Sequence, residues 1–145
     1  MEPVALFSLR RPERDAGGAT LYATGSRVGF VRARSIEAQY SCSAGFLIIA
    51  SCDVPYEEEL NISLRAKASY KLLDEMMLGL PYKPGIFSGI VASGPNMLQF
   101  SFFGGDQWTV EVFDRPRILW LKNWFGAARY ACFLPGRHFL QLRRT

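Results

Sequence analysis

Short stretches in which apolar and polar residues alternate dominate the chain, and they predict an all-β protein. Val4 to Leu9 is a first apolar run, and the charged, Gly/Pro-containing "RRPERDAGG" from Arg10 to Gly18 reads as a mobile connection. Residues 1–18 are therefore expected to be a strand and a mobile arm at the start of one domain spanning residues 1–145. In "ATLYATGSRVGFVRAR" two extended runs flank Thr24-Gly25-Ser26, and Val28, Phe30 and Arg32 alternate with Arg27, Gly29 and Val31, which predicts a hairpin. Further strands are expected at Gly45–Ser51, Glu59–Ala66, Ile86–Ala92, Met97–Phe103, Gln107–Phe113, Arg117–Lys122, Tyr130–Leu134 and His138–Leu142. One segment follows a different period. Leu72, Leu73, Met76 and Met77 make a helical stripe, Ser69 can cap it, and Gly79 can end it in the left-handed conformation, so one short helix is expected over Ser69–Leu78. About ten short strands with one helix predict a barrel or sandwich.

Composition agrees with a packed domain: 49% of the 145 residues are hydrophobic, 14% aromatic and 21% charged. No apolar run is long enough to cross a bilayer as a helix, and the start, Met1 to Phe7, lacks the pattern of a signal peptide, so an intracellular protein is expected. The net charge of +4 is spread over Arg10, Arg11, Arg14, Arg27, Arg32, Arg34, Arg143 and Arg144. No dense basic block or aromatic-basic ladder accompanies it, which speaks against a nucleic-acid groove. Cys42, Cys52 and Cys132 fit no zinc spacing and read as buried free thiols.

Candidate catalytic groups are few. The single histidine, His138, sits in an apolar strand and reads as structural or surface-bound, with no serine-histidine-acid arrangement around it. Glu57, Glu58 and Glu59 follow Pro55-Tyr56 as a solvated acidic turn, and Asp53, Asp106 and Asp114 share no ligand spacing. No cofactor and no metal site is expected.

Three stretches taken in order carry a resemblance. "SAGFLIIASCDVPYEEELNISL" (Ser43–Leu64), "KPGIFSGIVASG" (Lys83–Gly94) and "ILWLKNWFGAARYACFLPGRHFLQL" (Ile118–Leu142) resemble, in sequence and order, the dUTPase fold family. That family has a Ser-Ala-Gly-aromatic start, a Pro-Gly turn before a Pro-Arg-Ser-Gly loop, and a Leu-Phe-Asn strand before a Gly-Asp-Arg-x-x-Gln-Leu strand. The counterparts are Ser43-Ala44-Gly45-Phe46, Pro84-Gly85, Val91-Ala92-Ser93-Gly94, Leu121-Lys122-Asn123 and Gly136 through Leu142, over about two-thirds of the chain. The resemblance implies a dUTPase-like distorted β-barrel or jelly roll with one short helix, and a homotrimer.

The family's chemistry does not carry over with its fold. Where its phosphate-binding arginine stands, this chain has Ala92, and only Ser93 and Gly94 of that loop are kept. Counting back from Asn123 puts Phe113 in place of the uracil-stacking tyrosine and Val110 in place of the water-activating aspartate, which a valine cannot replace. The acid after the first motif's aromatic is Leu47, and nothing corresponds to the glycine-rich closing arm after Arg143-Arg144-Thr145. Degenerate domains of this kind are similar to adenoviral early-region-four proteins and herpesviral dUTPase-related proteins. The resemblance therefore implies a non-enzymatic viral protein that contacts host signalling or scaffolding proteins in the cytoplasm or nucleus. Thr145 after two arginines does not match a PDZ ligand. Two partner surfaces are expected: Met76 and Met77 on the expected helix, and Trp124 with Phe125 in "KNWFGAARY". The alternative is a residual dUTP pyrophosphatase or nucleotide-binding protein in which Asp106 or Asp114 replaces the lost carboxylate.

Overall fold

The computed structural model describes residues 1–11, 17–52, 58–119, 126–131 and 136–145. Thirteen strands account for its regular structure: β1 (Glu2–Pro3), β2 (Phe7–Arg10), β3 (Ala19–Ala23), β4 (Ser26–Val31), β5 (Ser35–Ser41), β6 (Phe46–Ser51) and β7 (Leu60–Arg65), followed by β8 (Leu72–Leu78), β9 (Ser88–Gly94), β10 (Met97–Phe102), β11 (Asp106–Ile118), β12 (Ala128–Tyr130) and β13 (Arg137–Arg144). They form three antiparallel sheets, in the orders β1-β5-β6-β7-β8-β12, β13-β11-β10-β9 and β2-β3-β4, and the described residues close no barrel.

The six-stranded sheet is the middle layer. Leu47, Ile49, Leu60, Ile62, Leu64, Met76 and Leu78 on one face pack against Leu98, Phe100, Trp108, Val110, Val112, Leu140 and Leu142 of the four-stranded sheet. On the other face Ile48 and Ala50 pack against Phe7, Leu21, Ala23, Val31 and Ala33, which belong to the small sheet and the link after it. β6 is buried on both faces, which is why its sequence is an unbroken apolar run and not an alternation. β7 has two unlike faces: Leu60, Ile62 and Leu64 enter the main core, while Asn61, Ser63 and Arg65 are buried on the opposite side. There the Asn61 amide donates to Glu75 at 2.6 Å, and the Arg65 guanidinium reaches the carbonyls of Tyr70 and Val28 at 3.4 and 3.5 Å. Burial lowers the Arg65 pKa, with Glu75 opposing the shift.

The expected helix over Ser69–Leu78 is a correction: Leu72–Leu78 is strand β8, and the described residues contain no helix. β8 pairs with β7 on one side and β12 on the other, which satisfies its backbone groups and leaves β7 no open edge. These non-local pairings outweigh the local helical preference of Leu and Met. Ser69 serves the preceding turn by accepting the Lys71 N–H at 3.4 Å, and Gly79 is small because a Cβ there would lie 2.5 Å from the Glu59 side chain. The described part of the opening segment joins two sheets. β1 pairs with β5, β2 pairs with β3, Phe7 is buried, and residues 12–16 lie outside the described set. The expected hairpin is present, turning at Thr24 (φ 49°) and Gly25 (φ 86°), which suits the right-handed twist of the strands it joins.

A polar staple joins the middle sheet to the four-stranded sheet. Asp74 on β8 accepts the main-chain N–H groups of Phe139 and Leu140 on β13 at 2.7 and 2.9 Å, and its other oxygen meets Glu75 N–H and His138 Nδ1 at 2.9 and 3.2 Å. His138 stacks on Tyr130 with centroids 3.6 Å apart, and the Tyr130 hydroxyl donates to the Leu140 carbonyl at 2.6 Å. Burial, helped by the nearby Asp74 charge, raises the Tyr130 pKa far above its usual value of 10.0. An acid whose folded pKa is raised adds stability that is fully present below pH 10 and is lost as the pH rises beyond it. Tyr130→Phe is expected to cost about 1 kcal/mol at neutral pH. The gap to the wild type should narrow above pH 10 in paired urea titrations.

Candidate functional site

A polar cluster lies at one end of the four-stranded sheet. Ser43 lies in the β5–β6 turn, Asn96 in the β9–β10 turn, and Asp114 on β11. Asn96 Nδ2 donates to Asp114 Oδ1 at 3.0 Å, and the Ser43 hydroxyl sits 3.0 Å from Asn96 Oδ1 and also bonds Asp114 Oδ1. A hydroxyl has one proton, and the carboxylate is the stronger acceptor for it. The cluster is exposed, but its backbone is fixed: Val112 N–H donates to the Asn96 carbonyl at 2.9 Å, and the Met1 ammonium donates to the Pro95 carbonyl at 2.9 Å. Local chemistry explains the turns, since Gly94-Pro95-Asn96 is a reversal sequence and Gly45 lets the first turn approach β7 closely.

The positions expected to be remnants of a nucleotide site share part of this region. Ala92 pairs with Leu98, which pairs with Val110, so Ala92 and Val110 lie in one row across three strands. Their surroundings differ. Ala92 and Ser93 are exposed and Gly94 is half-buried on β9, whereas Val110 is fully buried in the main core. Phe113 is also buried, and the Arg117 guanidinium lies 4.1 Å over its ring. No open aromatic face is presented there for a base to stack on. Asp106 lies at the other end of β11, where it bonds Arg144 at 2.7 Å and pairs with Lys83 at 3.8 Å. Eight residue steps along the strand separate it from Asp114, roughly 25 Å.

The Met76–Met77 partner surface is a second correction. Met76 is fully buried in the main core and Met77 is buried on the opposite side of β8, because two-sided pairing places this strand inside the sheet. Trp124 and Phe125 lie outside the described residues, as do Cys132, Asp53 and Glu57. Cys42 is a buried free thiol that donates to the Gly45 carbonyl at 3.3 Å, and burial pushes its pKa up.

Two features had no clear signal in the sequence. One is a cleft of about 440 Å³ lined by Ala33, Arg34, Cys52, Glu59, Pro81 and Arg129, in which Arg129 and Glu59 form an ion pair. Burial first, then Glu59 and Glu58, raise the Cys52 pKa, so the thiol stays protonated and is a poor nucleophile. The other is the link between β8 and β9. Gly85 is packed against the Phe102 ring and Phe87 lies on Phe100, while Tyr82 and Ile86 project outward, 86% and 80% exposed. Tyr82 also has a φ of 59°, a conformation that bulky side chains rarely adopt. Among the described residues no group of three His, Cys, Asp or Glu side chains is placed to hold a metal ion.

No family model, curated protein or solved structure matches the chain.

Proposed function

We propose that this chain is a non-catalytic protein on a dUTPase-like jelly-roll scaffold, and that it acts by binding host-cell signalling or scaffolding proteins through surface loops. The observation that carries the reading is the Tyr82–Ile86 loop. Two large apolar side chains stand in solvent on a loop pinned beneath them by Gly85 and Phe87, so little ordering entropy is lost when a partner covers them. Tyrosine in a strained, exposed setting suits a binding anchor. Support for the non-catalytic half comes from Val110, whose fully buried side chain occupies the place where the resemblance would require a water-activating acid. The test is a host-cell pull-down comparing wild type with Tyr82→Ala/Ile86→Ala, alongside the Trp124→Ala/Phe125→Ala pair. At least tenfold weaker capture of a specific partner by the first pair is expected. Capture unaffected by either pair would remove the loop reading. Incubation with dUTP and magnesium should release no pyrophosphate, and robust hydrolysis abolished by Ser93→Ala would overturn the non-catalytic half.

A second reading is favoured by the Ser43–Asn96–Asp114 cluster, which gathers a carboxylate and two polar groups beside the Ser93-Gly94 turn. A retained nucleotide site there predicts a rise in melting temperature with dUMP or dUTP, lost in Asp114→Ala. No shift with either nucleotide would exclude it.

A further inference from the structure

The described residues present six sheet edges, and five are blunted. β1 and β12 are two and three residues long. At the start of β2, the Gln39 side chain accepts the N–H groups of Leu6 and Phe7, each at 2.8 Å, and donates to the Phe7 carbonyl at 3.1 Å. β4 carries Arg27, and its Val28 carbonyl is reached by Arg65. β13 carries Arg137, Arg143 and Arg144, and Asp74 occupies two of its amides. Charges, short strands and occupied backbone groups are the usual means by which a sheet refuses a further strand.

β9 is the exception. It pairs with β10 on one side, and no strand or side chain among the described residues bonds its outer edge. Its sequence, Ser-Gly-Ile-Val-Ala-Ser-Gly, has no charge and no proline. Val91 is 59% exposed at its centre, and Met97 on β10 is exposed on the same face. The strand is also nearly self-complementary about Val91. In an antiparallel pair of copies Val91 would face Val91, Ile90 would face Ala92, Gly89 would face Ser93 and Ser88 would face Gly94. An isologous contact places each residue near its own symmetry mate, so a charged strand would repel itself, and this one would not.

We propose that β9 is the joining edge for a second copy of this chain, added antiparallel about a two-fold axis at Val91, so that two four-stranded sheets become one of eight strands. The register of β9 against β10 slips near Ser93 and again between Ser88 and Val91, which bends the strand ends and confines close pairing to the middle. The contact is therefore small, and the dimer depends on concentration.

Sedimentation of the full chain, followed up to about 1 mM, tests this. The mass should rise from 16.3 kDa toward twice that value with concentration. Val91→Lys, which sets like charges across the axis at an exposed site, should weaken association at least tenfold with an unchanged melting temperature. Val91→Cys supplies a second readout. Side chains directly opposed in an antiparallel pair lie about 5 Å apart, so oxidation should give a covalent dimer well above the wild-type background. Thr109→Cys, two strands away on the same sheet, should not. A monomer at every concentration, a trimer, or a dimer indifferent to Val91→Lys would each overturn the proposal. None of these results depends on the Tyr82–Ile86 reading, which is probed by different residues and a different assay.

Discussion

Asp74→Ala is expected to lower stability by about 3–5 kcal/mol, among the largest effects available from one side chain. The carboxylate is 7% exposed and accepts the amides of Phe139, Leu140 and Glu75 as well as facing His138. Removing it leaves those donors buried without acceptors, and each buried, unpaired backbone group costs about 1–3 kcal/mol. Because the bonds join β8 to β13, the loss falls on the seam between the middle sheet and the four-stranded sheet. Asp74→Asn should lie between wild type and alanine, since one oxygen is kept but an NH₂ group is turned toward N–H donors. Urea midpoints at neutral pH give the ranking, and hydrogen exchange at Phe139 and Leu140 localises it. A loss below about 1 kcal/mol in the alanine variant would show that the staple is not what holds β13 in place.

Gly45→Ala carries the second large effect, about 2–3 kcal/mol. A Cβ at this position would lie 2.1 Å from the Arg65 carbonyl oxygen and 3.1 Å from its carbon. Those are backbone atoms of the central strand and cannot swing aside as a side-chain end would. The β5–β6 turn must move instead, and Ser43, two residues away, would move with it. Thermal melts measure the cost. Near-wild-type stability would show that the turn relaxes freely.

Several elements were legible in the sequence because one face is buried and the other is wet. β10 and β11 show Leu98, Phe100 and Phe102 and then Trp108, Val110 and Val112 in strict alternation, and the structure buries each of these residues. The Thr24-Gly25 turn was legible because positive φ at consecutive residues needs a permissive sequence. β8 was not, because Met76, Met77 and Leu78 are buried on both sides, which erases the two-residue period and leaves a spacing that also fits a helix. β5 was missed for the opposite reason: Ile36, Ala38 and Tyr40 do alternate, but Ser35, Glu37, Gln39 and Ser41 dilute the apolar signal. At the candidate site, Ser43 lies in a motif stretch while Asn96 and Asp114 lie outside all three, so their polar contact did not show in the sequence. Ser43 and Asp114 are 71 positions apart, and Asp74 and His138 are 64 apart, distances over which no local spacing rule applies.

The two unlike faces of β7 bear on how the chain avoids folding wrongly. A shift of one residue in its pairing with β6 or β8 would turn Asn61, Ser63 and Arg65 into the Phe100–Leu98 core and send Leu60, Ile62 and Leu64 to the other side. An apolar stretch at this place would tolerate the slip, since Leu for Ile is nearly the same volume. With a guanidinium in the file, the shifted pairing would strand a charge among phenylalanines at a cost comparable to the whole stability of a domain this size. Arg65, whose hydrogen bonds to carbonyls among the described residues are long, thereby acts most strongly against a structure that the chain never adopts.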